Sequence, residues 1–139
     1  MDPELRSFSS KQPGELHWHT TGTDLTLVSK AIAGVLPDNE QLDGLIHNAG
    51  LLINKPFSET SEDDWLMQFE ANVFMVFRWT RGLESLMGHG SHIVHISSMG
   101  GVQGSSKFPG LSLYSAAKGA VTIFTEILST EWVERGIAV

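Results

Sequence analysis

The hydrophobic positions of this 139-residue chain fall into short apolar runs that alternate with longer helical stripes. The short runs predict strands at residues 16–20, 42–47 and 92–96, with a fourth that begins at residue 137. Apolar residues three and four apart predict three helices, one between Asp24 and Pro37, one over 62–87 and one over 113–135. This alternation is typical of an α/β fold, in which right-handed crossovers join parallel strands.

The two longer helices carry recognisable start and stop signals. Ser61 and Asp64 have the spacing of a capping box, with Asp in place of the usual Glu or Gln, and Gly136 follows the last helix. The apolar stripes predict two buried faces: Trp65, Phe69, Val73, Val76 and Phe77 on one helix, and Ala117, Val121, Phe124 and Leu128 on the other. The polar residues 1–14 are predicted to be a flexible tail, part of which an expression vector could have contributed, before a domain over 15–139.

Charge and composition exclude several classes of function. The formal net charge is −7 and no basic stripe is present, which argues against nucleic acid as a partner. The chain has no cysteine, so disulfide and thiolate chemistry are excluded. No apolar run approaches membrane-spanning length, so we expect a cytoplasmic protein without a membrane partner. The six histidines show no spacing typical of a metal site, and we expect no metal.

Candidate chemistry lies between residues 95 and 118. Tyr114 and Lys118 are four apart, so they stand on the same face of the predicted helix. A nearby ammonium favours the phenolate form of a tyrosine, and the Ser98 hydroxyl can supply a second donor at the end of the preceding strand. This combination indicates a proton-transfer site for a carbonyl or an alcohol. Taken singly, Tyr114 could be a helix-rim residue, and Ser97 competes with Ser98.

The order of four short motifs carries a family resemblance. Asn48-Ala49-Gly50, Asn72, Ser98 and Tyr114-x-x-x-Lys118 together resemble the short-chain dehydrogenase/reductase family, over residues 16–139. The resemblance implies a partial Rossmann-like, doubly wound parallel sheet in three αβα layers, here with about four strands and three helices. It also implies a small carbonyl or alcohol substrate, NAD or NADP as cofactor, and a homo-oligomer formed through helices 62–87 and 113–135.

The same resemblance implies a role for each motif. Tyr114 would be the acid/base, Lys118 would make that phenol a better acid and bind the nicotinamide ribose, and Ser98 would take the catalytic place in preference to Ser97. Asn72, for which helix phase alone leaves a surface position equally open, would hold a water that relays protons to Lys118. The predicted catalytic residues are therefore Asn72, Ser98, Tyr114 and Lys118, and the predicted cofactor contacts are Asn48, Ala49, Gly50, Tyr114 and Lys118.

The family's glycine-rich phosphate loop has no counterpart in this sequence. Gly100 to Gly104 lie between Ser98 and Tyr114, where the family has its substrate loop, so we reject them as the phosphate site. We therefore expect a family domain shortened at both ends. Strand 16–20 would pair with strand 42–47, stay unpaired or be completed by another chain. An alternative function is a non-catalytic fragment that acts as a dimerisation or interaction module without a cofactor.

Overall fold

The computed structural model describes residues 6–9, 17–20 and 41–139. Strands β1 (Arg6–Ser9) and β2 (His17–Thr20) pair antiparallel, with Arg6 opposite Thr20. The strand over residues 17–20 is thus neither unpaired nor paired with the strand at 42–47, and its partner β1 lies inside the segment expected to be a tail. A short connection suits this arrangement, because parallel neighbours need a crossover of a dozen or more residues. Completion by another chain remains a prediction. The helix predicted between Asp24 and Pro37 lies outside the described residues.

The central sheet is parallel, as the α/β pattern predicts. Strand β3 (Gly44–His47) pairs in parallel with β4 (His92–His95). On the other side of β4, the Ile93 amide donates to the Ala138 carbonyl oxygen at 2.7 Å, and the Ala138 amide donates to Ser91 at 2.9 Å. The chain therefore returns beside β4 after the last helix, and β4 lies at the centre of this sheet.

Within residues 41–139, three α-helices accompany the sheet: α1 (Glu62–Phe69), α2 (Met75–Leu83) and α3 (Ser112–Trp132). The capping box is confirmed, since the Ser61 amide donates to the Asp64 carboxylate at 2.8 Å and the Asp64 amide donates to the Ser61 hydroxyl at 3.2 Å. Gly136 ends the last helical segment in the left-handed conformation, with φ of 69°. The capping residues predicted from the sequence therefore define the start of α1 and the end of the last helical segment.

The single helix predicted over 62–87 is interrupted. Residues Glu70–Phe74 form a π-helical turn between α1 and α2, in which the Met75 amide bonds to the Glu70 carbonyl five residues back. A π-turn inserts one residue into the helix and changes which side chains face the core. Phe77 is 37% exposed, against the prediction, although Val73 and Val76 are buried as expected.

The hydrophobic core lies between the sheet and the helices. On α3 the predicted face is confirmed, because Ala117, Val121 and Leu128 are buried. Trp65, in the first turn of α1, is predicted to be buried but is 41% exposed. Its indole donates to the hydroxyl of Thr60, which precedes the helix. A second cluster joins the end of α3 to β4 and the end of the chain: Met87, Ile93, Leu128, Trp132 and Ile137.

Candidate active site

Lys118 lies buried behind the end of strand β4. Its side chain is in the second turn of α3, the residue is 5% exposed, and its Nζ donates to the Ile96 carbonyl oxygen at 2.7 Å. Burial lowers the pKa of the ammonium, because the charged form loses hydration. The Nζ atom lies 5.8 Å from the centre of the Tyr114 ring, one turn earlier on the same helix. The structure therefore brings a buried ammonium and a half-buried phenol together.

The two adjacent serines make different contacts. The Ser97 hydroxyl donates to the Lys118 carbonyl at 3.0 Å and shares a hydrogen bond with Thr122 at 2.9 Å, so it ties the sheet to α3. The Ser98 hydroxyl accepts a bond from the Gly100 amide at 3.2 Å and keeps its own hydrogen available within residues 41–139. This difference favours Ser98 as the donor to a substrate oxygen.

A close backbone contact positions the turn that follows Ser98. Residues Met99–Gly101 form a 3₁₀ turn against α3. A Cβ added to Gly101 would lie 2.6 Å from the Lys118 carbonyl carbon and 2.7 Å from the Gly119 amide nitrogen. Only glycine leaves room for this approach. The turn carrying Ser98 is thus packed against the helix segment that carries Lys118.

Two buried amides hold the loop that follows β3. Asn72, in the π-turn, donates to the Leu51 carbonyl at 2.7 Å and to the Gln68 carbonyl at 2.8 Å, and it accepts from the Leu51 amide at 3.2 Å. Gln68, one turn earlier, accepts from the Ile53 amide at 3.2 Å. Both residues are 1% exposed, so Asn72 is not a surface residue. π-Turns often occur at functional sites.

The Asn48-Ala49-Gly50 motif follows β3 directly and is exposed. A Cβ added to Gly50 would lie 2.8 Å from the Asn72 Oδ1 and 3.5 Å from the Lys118 Nζ. The structure thus brings Gly50, Asn72 and Lys118 together, with Tyr114 beside Lys118. Within residues 41–139 no side-chain hydrogen bond joins Asn48 or Ala49 to this group. The roles of all these residues remain predictions.

A pair of stacked histidines lies where the sheet meets α2 and α3. The rings of His47 and His95 are 5.0 Å apart and nearly parallel. His47 shares a hydrogen bond with Thr80 at 3.0 Å, and His95 shares one with Thr125 at 2.9 Å. Burial and the neighbouring His95 lower the pKa of His47 to about 4. These histidines are therefore neutral packing residues at neutral pH.

Sequence reasoning missed Gln68 and Gly101. Gln68 precedes Asn72 by four residues, and two amides at that spacing on one helix face are a signal that could have found it. Gly101 is one of several glycines in its loop, and the sequence does not distinguish it from Gly100 or Gly104. Within residues 41–139, no three His, Asp or Glu side chains converge as a metal would require. In that same part of the chain, no helix combines the length and apolar character needed to cross a bilayer.

Comparison with known proteins agrees with this geometry. The chain matches the short chain dehydrogenase family over residues 7–139. It is 36% identical over 124 residues to a cyclopentanol dehydrogenase of Comamonas sp., a match that covers 87% of this chain and 48% of that protein. It is 34% identical over 120 residues to a gluconate 5-dehydrogenase of Gluconobacter oxydans, covering 84% and 45%.

A solved structure shows the same relationship. A short-chain dehydrogenase from Burkholderia cenocepacia in complex with NADP superposes with a TM-score of 0.71 at 28% identity, covering 84% of this chain and 47% of that one. The chain spans about half the length of the curated relatives it matches. The fold is accordingly part of a Rossmann-like α/β domain. The chain belongs to the short-chain dehydrogenase/reductase family.

Proposed function

We propose that this chain carries the acid–base chemistry of an NAD(P)-dependent oxidoreductase that interconverts an alcohol and a carbonyl compound. The observation that carries the proposal is the buried Lys118 ammonium beside the Tyr114 ring, fixed by its bond to the Ile96 carbonyl. A buried ammonium is costly and is retained where it serves another group. Here the nearby ionisable group is the phenol.

The proton follows a short path in this proposal. In the oxidative direction the Tyr114 phenolate oxygen accepts the alcohol proton, while Ser98 donates a hydrogen bond to the same substrate oxygen. A bound NAD(P) would supply the acceptor for the hydride that leaves the substrate carbon as the alcohol becomes a carbonyl compound. The Lys118 ammonium stabilises the phenolate electrostatically. In the reductive direction Tyr114 returns the proton.

The small residues at the carboxyl end of β3 would let the backbone pass close to the cofactor. Ligands of open parallel sheets bind beyond the carboxyl ends of the strands, where Asn48, Ala49 and Gly50 are exposed. Gly50 leaves open a space that a Cβ would fill, next to Asn72 Oδ1 and Lys118 Nζ. We assign these three residues, with Tyr114 and Lys118, to the cofactor.

Asn72 has limited capacity left for the predicted water relay. Both amide hydrogens and one lone pair of Oδ1 are used by Leu51 and Gln68. We propose that the second lone pair of Oδ1 holds the relay water on its way to Lys118. The main work of the side chain is to position the loop after β3.

Cofactor binding tests the proposal directly. The 139-residue chain is titrated with NAD(H) and NADP(H) by calorimetry, together with Lys118→Met and, as a charge control, Arg81→Met on the exposed face of α2. We expect saturable binding that the Lys118 variant weakens and the Arg81 variant leaves unchanged. Tyr114→Phe should keep the binding and lose turnover of an alcohol. Absence of binding at millimolar cofactor would refute catalysis by this chain and favour the non-catalytic module.

We also propose a homo-oligomer through the long helices. Several apolar side chains on α1, the π-turn and α3 are 41–59% exposed: Leu66, Phe74, Ile123 and Ile127. Exposed apolar side chains on helices that pack side by side are typical of an interface. Light scattering should report a dimer or larger assembly that Ile127→Glu reduces to a monomer, whereas Val102→Glu in the loop before α3 should not. A monomeric parent chain would contradict the assignment.

The family relatives act on chemically different substrates. One relative is a cyclopentanol dehydrogenase, named for an uncharged ring alcohol, and another is a gluconate 5-dehydrogenase, named for a hydrophilic acid. Both compounds contain an alcohol or carbonyl group. An enzyme must therefore distinguish them by the rest of the molecule. For this chain, substrate specificity must depend on the side chains that line the candidate site.

A further inference from the structure

A pocket opens between the loop that follows β3 and the loop that precedes α3. Its volume is about 500 Å³, within the range of small-molecule sites. Its walls include Phe57, Lys107, Phe108, Leu111 and Ser115. The pocket is therefore formed by two separate loops and the first turn of α3.

The two loops are fixed relative to each other. The Lys55 amide donates to the Gly110 carbonyl at 2.9 Å, and the Lys55 ammonium forms an ion pair with Asp64 at 2.8 Å. Gly110 has φ of 84°, and the Asn54 side chain occupies the place that a Cβ would need. The pocket thus has a built frame.

One lining residue of the pocket, Ser115, lies close to the candidate catalytic serine. Ser115 follows Tyr114 on α3, and its hydroxyl lies 2.6 Å from the point where a Gly100 Cβ would be. The Ser98 hydroxyl lies 3.6 Å from the same point. A molecule whose oxygen reaches Ser98 would therefore extend its remaining atoms along the pocket.

The walls of the pocket favour an uncharged, apolar ligand. Phe57 and Phe108 are 61% and 64% exposed, and Pro109 and Leu111 add further apolar surface. Lys107 is the one cation among the lining residues, and its ammonium donates to the Gly100 carbonyl, the Val102 carbonyl and the Ser105 hydroxyl. An ammonium has three hydrogens, and all three are used within the loop, which disfavours a direct hydrogen bond to a carboxylate.

We propose that this pocket binds the apolar body of an uncharged ketone or secondary alcohol, of aliphatic or alicyclic type, and discriminates against sugar acids. The inference rests on the proposed function, since it takes Ser98 and Tyr114 as the groups that meet the substrate oxygen. Lys107 is a positioning residue that holds the loop. Phe57 and Phe108 are the specificity-determining contacts.

The test is an NMR titration of the ¹⁵N-labelled 139-residue chain with cyclohexanone and, in parallel, with gluconate. Each titration is run without cofactor and with saturating NADPH and NADH. We expect cyclohexanone to shift amide signals of residues 107–115 and gluconate to leave them unchanged. Phe108→Ser should weaken cyclohexanone binding roughly tenfold, since one apolar wall is lost. Ile46→Ser, at an exposed apolar position of β3 outside the pocket and outside the proposed interface, is the control.

Several results of the titration would contradict the proposed binding of cyclohexanone. Cyclohexanone shifts confined to other residues, no cyclohexanone binding in either condition, gluconate binding at least as tight, or an unchanged affinity in Phe108→Ser would overturn the inference. The amide spectrum of Phe108→Ser shows whether that variant is folded, and Phe57→Ser provides a second wall variant. The cofactor titration tests the proposed function on its own. Cyclohexanone binding is also measured without cofactor, so the two proposals can fail independently.

Discussion

The contact between Gly101 and α3 gives a sharp prediction for the substitution Gly101→Ala. The new methyl carbon would lie 2.6 Å from the Lys118 carbonyl carbon, 2.7 Å from the Gly119 nitrogen and 2.9 Å from the Lys118 oxygen. Non-bonded carbon atoms prefer a separation of about 3.5–4.0 Å. All three neighbours are backbone atoms of a helix, so no side chain can rotate away. The turn carrying Ser98 must therefore move by roughly 1 Å.

The magnitude follows from two opposing effects. Overpacking of this kind costs about 1–3 kcal/mol, and the lower entropy of the unfolded alanine chain returns about 0.4–1 kcal/mol. We expect a net loss of about 1–2 kcal/mol of unfolding free energy. In urea, with a slope of about 2 kcal/mol per molar, the midpoint should fall by about 0.5–1 M.

The assay is urea unfolding followed by tryptophan fluorescence, to which the buried Trp79 and Trp132 contribute. Gly119→Ala is the matched control, because it adds the same methyl group from the opposite side of the contact. That methyl would lie 3.4 Å from the Gly101 oxygen, and alanine is better than glycine in a helix by about 1 kcal/mol. Its midpoint should stay level or rise. An unchanged midpoint in Gly101→Ala, or an equal fall in both variants, would refute the argument.

Three further predictions concern capping and pH. Ser61→Ala removes the N-cap of α1 and should lower the unfolding free energy by about 1 kcal/mol in urea; no change would contradict the capping role. The bond from Lys55 and the cap lower the pKa of Asp64 to about 2 from 3.8, so its contribution is present above pH 3.8 and is lost as the pH falls through 2. Asp64→Asn should flatten acid unfolding in that range. The pKa of His47 falls from 6.5 to about 4, so stability should decrease as the pH drops across that interval. His47→Asn should remove most of this slope in urea midpoints measured from pH 7 to 4.5, and an unaltered slope would exclude His47 as its source.

Local signals in the sequence anticipate much of the fold. The capping box at Ser61, the left-handed Gly136 and the buried stripe of α3 rest on neighbouring residues, and all three are confirmed. The parallel pairing of β3 with β4 follows from the helix that connects them. These features need no knowledge of distant contacts.

The features that the sequence does not predict depend on distant contacts. The π-turn at Glu70–Phe74 places Asn72 toward Leu51, about twenty residues earlier, and no helix periodicity contains that information. The different contacts of Ser97 and Ser98 become visible only when α3 is packed against the strand end. The antiparallel partner of β2 is a polar segment without strand periodicity. In the candidate site, motif order suggests which residues meet, and packing decides what each one contacts.

The pairing between Asn72 and Leu51 has a consequence for which residues position 72 accepts. The side-chain amide binds both the N–H and the C=O of Leu51, as a neighbouring peptide group would in a ladder. An aspartate of the same shape would set carboxylate oxygens against the Leu51 and Gln68 carbonyl oxygens and repel both. A leucine would remove three hydrogen bonds, two to the Leu51 backbone and one to the Gln68 carbonyl. Few residues should therefore be tolerated at position 72. The side-chain amide takes the place of a main-chain peptide group, and other side chains do not offer the same donor and acceptor.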